Sequence, residues 1–300
     1  MEWHAEKERV ILRNVAQFDL QQTFECGQCF RWRRLENGNW LGIVRGRVVE
    51  AEQAGRDIIF HNTERSDFVR MWHEYFDLGR DYGAVQRELS RNDPVMKEAI
   101  AFAPGLRLLK QEFFETLISF IISQNNNIPR IKRIVECLAQ NYGRPVVYRE
   151  HVLYAFPEAD VLAALSEESL RCIRAGYRAR YIIRASRQVH ALDVDALGKM
   201  DSGSVRQALL ALHGVGEKVA DCVGLYSGLM PDAFPVDRWV RRVMETLYPE
   251  SGITNEAIVA FARRKFGPLA GIAQQYLFYF ARENRIGMDN PGSEAASSTD

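Results

Sequence analysis

The chain has 300 residues, 47% of them hydrophobic, and a formal net charge of zero from 39 basic and 39 acidic side chains. That length holds one large or two ordinary domains with a sizeable core, and no apolar run approaches the roughly 18 residues of a membrane span. Zero net charge argues weakly against a nucleic-acid partner, because neutralising phosphates takes local positive charge, so the distribution of charge matters more than its sum.

The opening run Met1-Glu2-Trp3-His4-Ala5-Glu6-Lys7 lacks an apolar signal core. Five cysteines (26, 29, 137, 172 and 222), odd in number and mostly scattered, fit a reducing compartment better than a disulfide scaffold. An intracellular place, cytoplasm or nucleoid, with no membrane partner is therefore expected. Cys26 and Cys29 form a CxxC without the second pair a zinc site wants, so they read as two thiols in or beside a strand, and no metal site is expected.

Residues 1 to about 75 read as strands: 9–12, 30–32, 40–44, 47–50 and 57–61 are short and rich in β-branched and aromatic residues, with turn signals such as Glu36-Asn37-Gly38-Asn39 between them. From about residue 66 the apolar period becomes helical. It recurs over 83–103, 111–123, 128–141, 158–164, 167–175, 178–191, 202–212, 217–228, 237–247, 254–265 and 268–282. Short connections carry Gly, Pro or Asp. The end of the chain, 289–300, is small and polar and reads as a disordered tail. The expected fold class is α+β: an N-terminal antiparallel β-sheet domain over 1–78, then a large all-α domain over 79–288 with a hairpin at 204–228.

Charge clusters where the helices lie. Segment 171–190 holds Arg171, Arg174, Arg178, Arg180, Arg184 and Arg187 and no acid, and Arg238, Arg241 and Arg242 follow further on. This is either a cationic face on a neutral molecule or a solvated helix face.

The densest motif is Leu212-His213-Gly214-Val215-Gly216-Glu217-Lys218-Val219-Ala220-Asp221-Cys222. Gly214 and Gly216 permit positive φ and close backbone approach. The helix that follows, from about Glu217, offers free N–H groups to an anion such as a DNA phosphate. A plain helix-loop-helix turn would look the same.

Lys218 sits in the first turn, against the usual preference for acids there. The positive helix end and a partly buried site both favour the free amine, which is a nucleophile able to form a Schiff base; the bland alternative is an exposed surface lysine. Cys222 shares its helix face at i+4, where free cysteine is also an ordinary small core residue. Asp237, in Phe234-Pro235-Val236-Asp237, is a natural N-cap. Capping alone would explain it. Beside a sugar C1′, the same carboxylate could stabilise an oxocarbenium ion and accept a proton.

With these residues in hand, the chain resembles the helix-hairpin-helix glycosylase superfamily, and within it the eukaryotic-type 8-oxoguanine DNA glycosylase/AP lyases, over nearly all of residues 8–285. Three motifs in order carry the likeness: Ser123-Gln124-Asn125-Asn126-Asn127-Ile128-Pro129-Arg130, Gly176-Tyr177-Arg178-Ala179-Arg180-Tyr181, and the Gly214 to Cys222 run with Val236-Asp237. The resemblance implies Lys218 as nucleophile and Asp237 as its partner in catalysis. It implies that a carbonyl at Gly27 accepts the N7–H that distinguishes oxidised guanine, and that Gln274 contacts the Watson–Crick edge. Cys222 and Phe278 would sandwich the flipped base, though Phe278 also suits a helix core. Asn125, Arg130 and Arg178 would hold the orphaned cytosine, and Tyr177 would wedge into the gap. Gly214 and Gly216 would meet DNA backbone. The Asn run has its own plain reading as a helix end and turn, Asn tolerating the left-handed region.

Two positions depart from the family pattern: His213 stands where proline is usual, and Trp239 where a histidine follows the catalytic aspartate by two. No Cys-rich cluster ends the chain, unlike the iron–sulfur relatives.

The implied activity is bifunctional: removal of 8-oxoguanine opposite cytosine from double-stranded DNA, then β-elimination, by a monomer. No cofactor is required, although a monovalent or divalent cation at the hairpin is expected from similar proteins. A monofunctional glycosylase for alkylated bases would lack Lys218, and a non-catalytic DNA-binding module would not need Lys218, Asp237, Gly27 and Gln274 together.

Overall fold

In the computed structural model, which describes residues 2–288, the alternating apolar positions of the N-terminal segment pair into one antiparallel sheet. The expected tail at 289–300 lies outside the described residues. Strands β1 (Glu2–Glu6), β2 (Arg9–Arg13), β3 (Arg33–Arg34), β4 (Trp40–Val44), β5 (Arg47–Ala54) and β6 (Asp57–His61) lie in the order β1-β2-β6-β5-β4-β3. The two-residue turn Arg45-Gly46 has positive φ at both positions, the conformation that suits strand twist in a tight hairpin.

Three local expectations change here. The strand expected at 30–32 lies instead at Arg33–Arg34. Phe30 and Trp32 are buried in an irregular segment, with Trp32 stacked on Phe24 at 3.9 Å and donating from Nε1 to Tyr75 Oη at 2.9 Å. Their aromatic character served packing, not strand pairing. Leu20–Glu25 is a helix, α1, because the Asp19 side chain accepts from Gln22 N and starts it. Strand β1 was not expected at all; its polar outer face hides the period. Cys26 and Cys29 are buried free thiols at the end of α1 and before β3.

Helices follow: α2 (Arg65–Asp67) and α3 (His73–Tyr75), joined through a π-helical turn at Phe68–Trp72, then α4 (Tyr82–Ser90), α5 (Pro94–Phe102), α6 (Phe113–Ser123) and α7 (Ile128–Tyr142). After them come α8 (Ala159–Ala163), α9 (Arg178–Gln188), α10 (Val194–Leu197), α11 (Ser202–Leu210), α12 (Glu217–Tyr226), α13 (Arg238–Leu247), α14 (Asn255–Phe266) and α15 (Ala270–Glu283). The single helix expected over 83–103 is two. Asp93 caps the second by accepting from Met96 N at 3.0 Å, and Pro94, lacking an N–H, suits its first position. The helix expected over 167–175 shrinks to one 3₁₀ turn at Ser169–Arg171, because Arg174 and Gly176 both take positive φ. An unexpected hairpin, β7 (Pro145–Tyr148) with β8 (His151–Tyr154), interrupts the helical region. Its hold is polar. Buried Glu50 on β5 accepts from Tyr148 Oη at 2.9 Å and Arg149 Nη1 at 2.7 Å. No helix among the described residues is long and apolar enough to cross a membrane.

Helix α6 is buried at nine of its eleven residues and packs against α7, α9 and α12. It is the axis of the helical core, and its C-terminal end delivers Ser123 and the Asn run. Arg31, whose side chain is 4% exposed, ties the N-terminal segment to this core. It donates to the Tyr154 carbonyl and sits 3.5 Å from Glu115 on α6 and 3.7 Å from Glu136 on α7. Burial pushes the Glu115 carboxyl up to about 7, against the pull of Arg31 and with the push of Glu112.

An unfolded Glu115 ionises near its ordinary value of 4.5. Between about 4.5 and 7 the folded chain therefore holds a proton that the unfolded chain has lost, so stability from this group falls as pH rises through that window. Glu115→Gln should flatten the decline. Thermal melts of both proteins from pH 4.5 to 8 check it, and identical slopes would refute the assignment.

Candidate active site

The site begins where α6 ends. Asn125 takes φ +46°, and Asn127 caps α7 by accepting from Arg130 N at 3.0 Å. Gln124 Nε2 donates to the Gly214 carbonyl at 3.0 Å and so ties the Asn turn to the hairpin. Gly214 has φ +84°, and a Cβ there would stand 2.5 Å from Tyr181 Cγ, so only glycine fits. The hairpin survives the departure at His213, and the structure gives a reason. The His213 N–H donates to Gln188 Oε1 at 2.7 Å, a bond that proline could not make. Gly216 caps α12 with no side-chain bond, and nothing crowds its Cβ position within 4 Å. The first N–H groups of α12 are thus open to an anion.

Lys218 lies in that first turn, half-buried. Its Nζ donates to Ser123 Oγ at 3.2 Å and stands 5.2 Å over the Phe120 ring. Asp237 begins α13, accepting from Trp239 N and Val240 N at 2.9 Å each. Burial raises its carboxyl above the ordinary value, while those two N–H groups, Lys218 and Arg282 pull it down. Burial pushes the neighbouring Cys222 thiol up to about 12, so it stays neutral despite Lys218.

Lys218, Asp237, Gly27, Cys222, Gln274 and Phe278 all line one cavity of about 690 Å³. Phe30, Phe120 and Tyr226 add apolar wall. Gln274 is buried; its Nε2 donates to the Pro235 carbonyl at 3.2 Å, and its Oε1 has no partner. A buried acceptor left unpaired is rare in a native interior unless something else is meant to meet it. Around Gly27, the carbonyls of Glu25, Cys26 and Gln28 accept from Arg282 Nη2 at 2.6 Å, Gln275 Nε2 at 2.9 Å and Gln111 Nε2 at 2.7 Å. Among the described residues, the Gly27 carbonyl accepts no hydrogen bond.

A second hollow, a groove of about 990 Å³, shares Lys218, Asp237 and Ser123 with the cavity and runs outward past Asn125, Arg130, Gly216, Arg238, Arg241 and Arg242. Tyr177 stands beside Asn125, half-exposed, with 3.5 Å between its hydroxyl and Asn125 Nδ2. Arg178 is placed differently from its neighbours. It is 4% exposed, and its guanidinium donates to the carbonyls of Gln124, Asn125 and Ala175. It braces the Asn turn rather than projecting into the groove. Trp239 lines both hollows, with Arg242 over its ring at 5.3 Å.

Sequence reasoning passed over Ser123, Gln28, Gln275 and Arg282. Ser123 was visible as the first residue of the Asn motif. Buried Gln28 holds the carbonyls of Thr23 and Arg107 and accepts from Leu109 N. Nothing in the local pattern announced it, since beyond Thr23 and Cys26 its partners lie some 80 residues away.

Two family models cover most of the chain: the 8-oxoguanine DNA glycosylase N-terminal domain matches residues 10–117, and the HhH-GPD superfamily base excision DNA repair protein matches 118–268. A probable N-glycosylase/DNA lyase of Methanothermobacter thermautotrophicus is 32% identical over 91% of this chain and 96% of its own. N-glycosylase/DNA lyase OGG1 of Arabidopsis thaliana is 30% identical over 86% and 76%. The 8-oxoguanine glycosylase/lyase of Clostridium acetobutylicum, solved with double-stranded DNA containing cytosine opposite 8-oxoG, superposes with a TM-score of 0.91. It is 42% identical and covers 95% of this chain and 99% of its own.

At Gly27, φ is +88° and an added Cβ would meet Phe278 Cε1 at 2.9 Å. Gly27→Ala should cost about 1 kcal/mol or more in urea unfolding, the usual penalty for Ala at positive φ. A variant as stable as the wild type would contradict the geometry.

Proposed function

The chain belongs to the HhH-GPD superfamily of base excision DNA repair proteins, and on that premise we propose that it is a bifunctional DNA glycosylase/AP lyase. It removes 8-oxoguanine opposite cytosine from duplex DNA and then cuts the strand. One observation supports this reading above the rest: Lys218, Asp237, Gly27 with its bare carbonyl and Gln274 with its unpaired amide oxygen line a single cavity beside a cationic groove.

The flipped nucleotide lies between Cys222 and Phe278. Its N7–H donates to the Gly27 carbonyl, and Gln274 Oε1 accepts from N1–H or the exocyclic amine. Normal guanine presents an acceptor at N7 and would leave the Gly27 carbonyl facing another lone pair, which is where discrimination arises. The neutral Cys222 thiol gives the base an uncharged face.

Lys218 Nζ, freed of its proton with the help of Asp237, forms a bond to C1′ as the N-glycosidic bond breaks and the base leaves with the electron pair. Asp237 stabilises the positive charge that develops on the sugar. Ring opening gives an imine between Lys218 and C1′. The imine acidifies C2′–H, and loss of that proton expels the phosphate on C3′ and cuts the strand 3′ to the lesion.

Asn125 and Arg130 face the groove and meet the orphaned cytosine, Arg178 fixes Asn125, and Tyr177 fills the gap. Backbone phosphate lies on the α12 N-terminus by Gly214 and Gly216. The carbonyls of Leu212 and Gly214 accept from Val215 N at 3.1 Å and Gln124 Nε2 at 3.0 Å. Each keeps a second lone pair, so Leu212 and Gly214 would hold a monovalent or divalent cation whose charge would favour that phosphate. The chemistry uses no redox cofactor or catalytic metal, and the enzyme acts as a monomer.

Borohydride trapping on a duplex with one 8-oxoguanine opposite cytosine tests the imine. A covalent adduct should form with the wild type and vanish with Lys218→Gln; an adduct that survives the substitution would remove Lys218 from this role. Asp237 works as the carboxylate, and burial raises its pKa above 3.8. Single-turnover excision should therefore fall as pH drops through that raised value. Asp237→Asn, which keeps the cap, should slow base release about 10²- to 10⁴-fold and abolish that acid limb.

A further inference from the structure

Arg282 closes the lip of the cavity beside Gly27, and two of its three nitrogens are engaged there. Nε donates to Glu283 Oε1 at 2.8 Å, and Nη2 donates to the Glu25 carbonyl at 2.6 Å. Nη1 is buried and has no partner. It stands 3.0 Å from where a Cβ on Gly27 would sit, and the guanidinium lies over the rings of Phe278 at 5.5 Å and Tyr279 at 5.2 Å. A cation in the last turn of α15 suits the helix dipole, and the bond to Glu25 explains part of the side chain. Neither accounts for a desolvated cationic N–H with nothing to donate to, which is a costly arrangement in a folded interior.

At this point the cavity is lined by Gly27, whose carbonyl accepts no hydrogen bond among the described residues, and by Arg282, whose Nη1 has no partner. Oxidised guanine carries the complementary edge: N7–H, a donor, flanked by oxo oxygens on C6 and C8, both acceptors. We propose that Arg282 is a specificity-determining residue for the lesion, donating from Nη1 to one of the oxo oxygens that flank N7–H. This inference rests on the 8-oxoguanine reading above. Guanine presents O6 and N7 as two acceptors, so it can meet the arginine only by setting N7 against the Gly27 carbonyl. Adenine presents an amine on C6 and has no oxo group on C8, so it offers the arginine no acceptor beside N7 that leaves the carbonyl paired. The same guanidinium lies over Phe278, the ring expected to stack on the base, and so polarises it as well.

The test separates base recognition from strand chemistry. Single-turnover excision of 8-oxoguanine opposite cytosine is measured beside cleavage of a preformed abasic site opposite cytosine, where there is no base to read. Arg282→Met should lower excision about tenfold or more, the range for a charge-assisted bond to a ligand. It should lower abasic-site cleavage far less than excision. Arg282→Lys, which keeps the cation and more of the reach to the Glu25 carbonyl, should recover part of the excision lost in Arg282→Met, with a native melting temperature. A parallel fall in both activities would make Arg282 a merely structural strut, and no fall in either would leave it without a role; both results overturn the proposal. A wild type that cuts abasic sites but never releases 8-oxoguanine would instead sink the substrate reading, so the two failures are distinguishable.

Discussion

Everything in the cavity depends on where the short segment from Glu25 to Gln28 is held. It belongs to the β-rich part of the chain, yet the other lining residues Lys218, Asp237, Gln274 and Phe278 lie on α12, at the start of α13 and on α15. Hydrogen bonds from Arg282, Gln275 and Gln111 fix the carbonyls of Glu25, Cys26 and Gln28. Gln28 is in turn buried against Thr23, Arg107 and Leu109. A loop pinned at the carbonyls on both sides of Gly27 has little freedom to move, so Gly27 is held at the cavity wall. Charge-assisted and buried bonds of this kind cost much when left unmade, which makes the alternative loop positions expensive.

Asp237 illustrates how structure and chemistry share a residue. As an N-cap it satisfies two orphan N–H groups of α13. The same bonds keep its carboxylate oriented and offset part of the penalty of burial. Lys218 is placed with equal economy. The first turn of α12 sets its direction, and Ser123, at the end of the central helix α6, receives its amine. The two groups line one cavity because α12 packs on α6 and α13 packs on α15, not because they are close in sequence.

The hairpin shows the tolerance of a backbone-driven site. Its demands are positive φ at Gly214 and open space at Gly216. A histidine in place of the usual proline gains a bond from its N–H to Gln188, while its ring Nε2 is buried without a partner. Arg178 shows the reverse case, where a motif residue turns inward to carbonyl groups and acts through Asn125.

Motifs whose physics is local were legible from the chain alone. Gly214 and Gly216 announce a turn, Lys218 its position in a first turn, Asp237 a cap, and the helical periods of α6, α7 and α11 to α15 mark buried stripes. The division into a sheet followed by helices was equally plain from the change of period. Elements set by distant partners were not. Strand β1 is polar outside, the β7–β8 hairpin is held by a glutamate some hundred residues earlier, and Phe30 and Trp32 look like strand but fill the core. The cavity itself belongs to this second class. Gly27, Gln274 and Arg282 share no local signal, and their juxtaposition follows from packing α15 against the end of α1. Sequence determined which groups could react and how each helix would begin; tertiary structure decided which unpaired carbonyl, amide and guanidinium would face the same space.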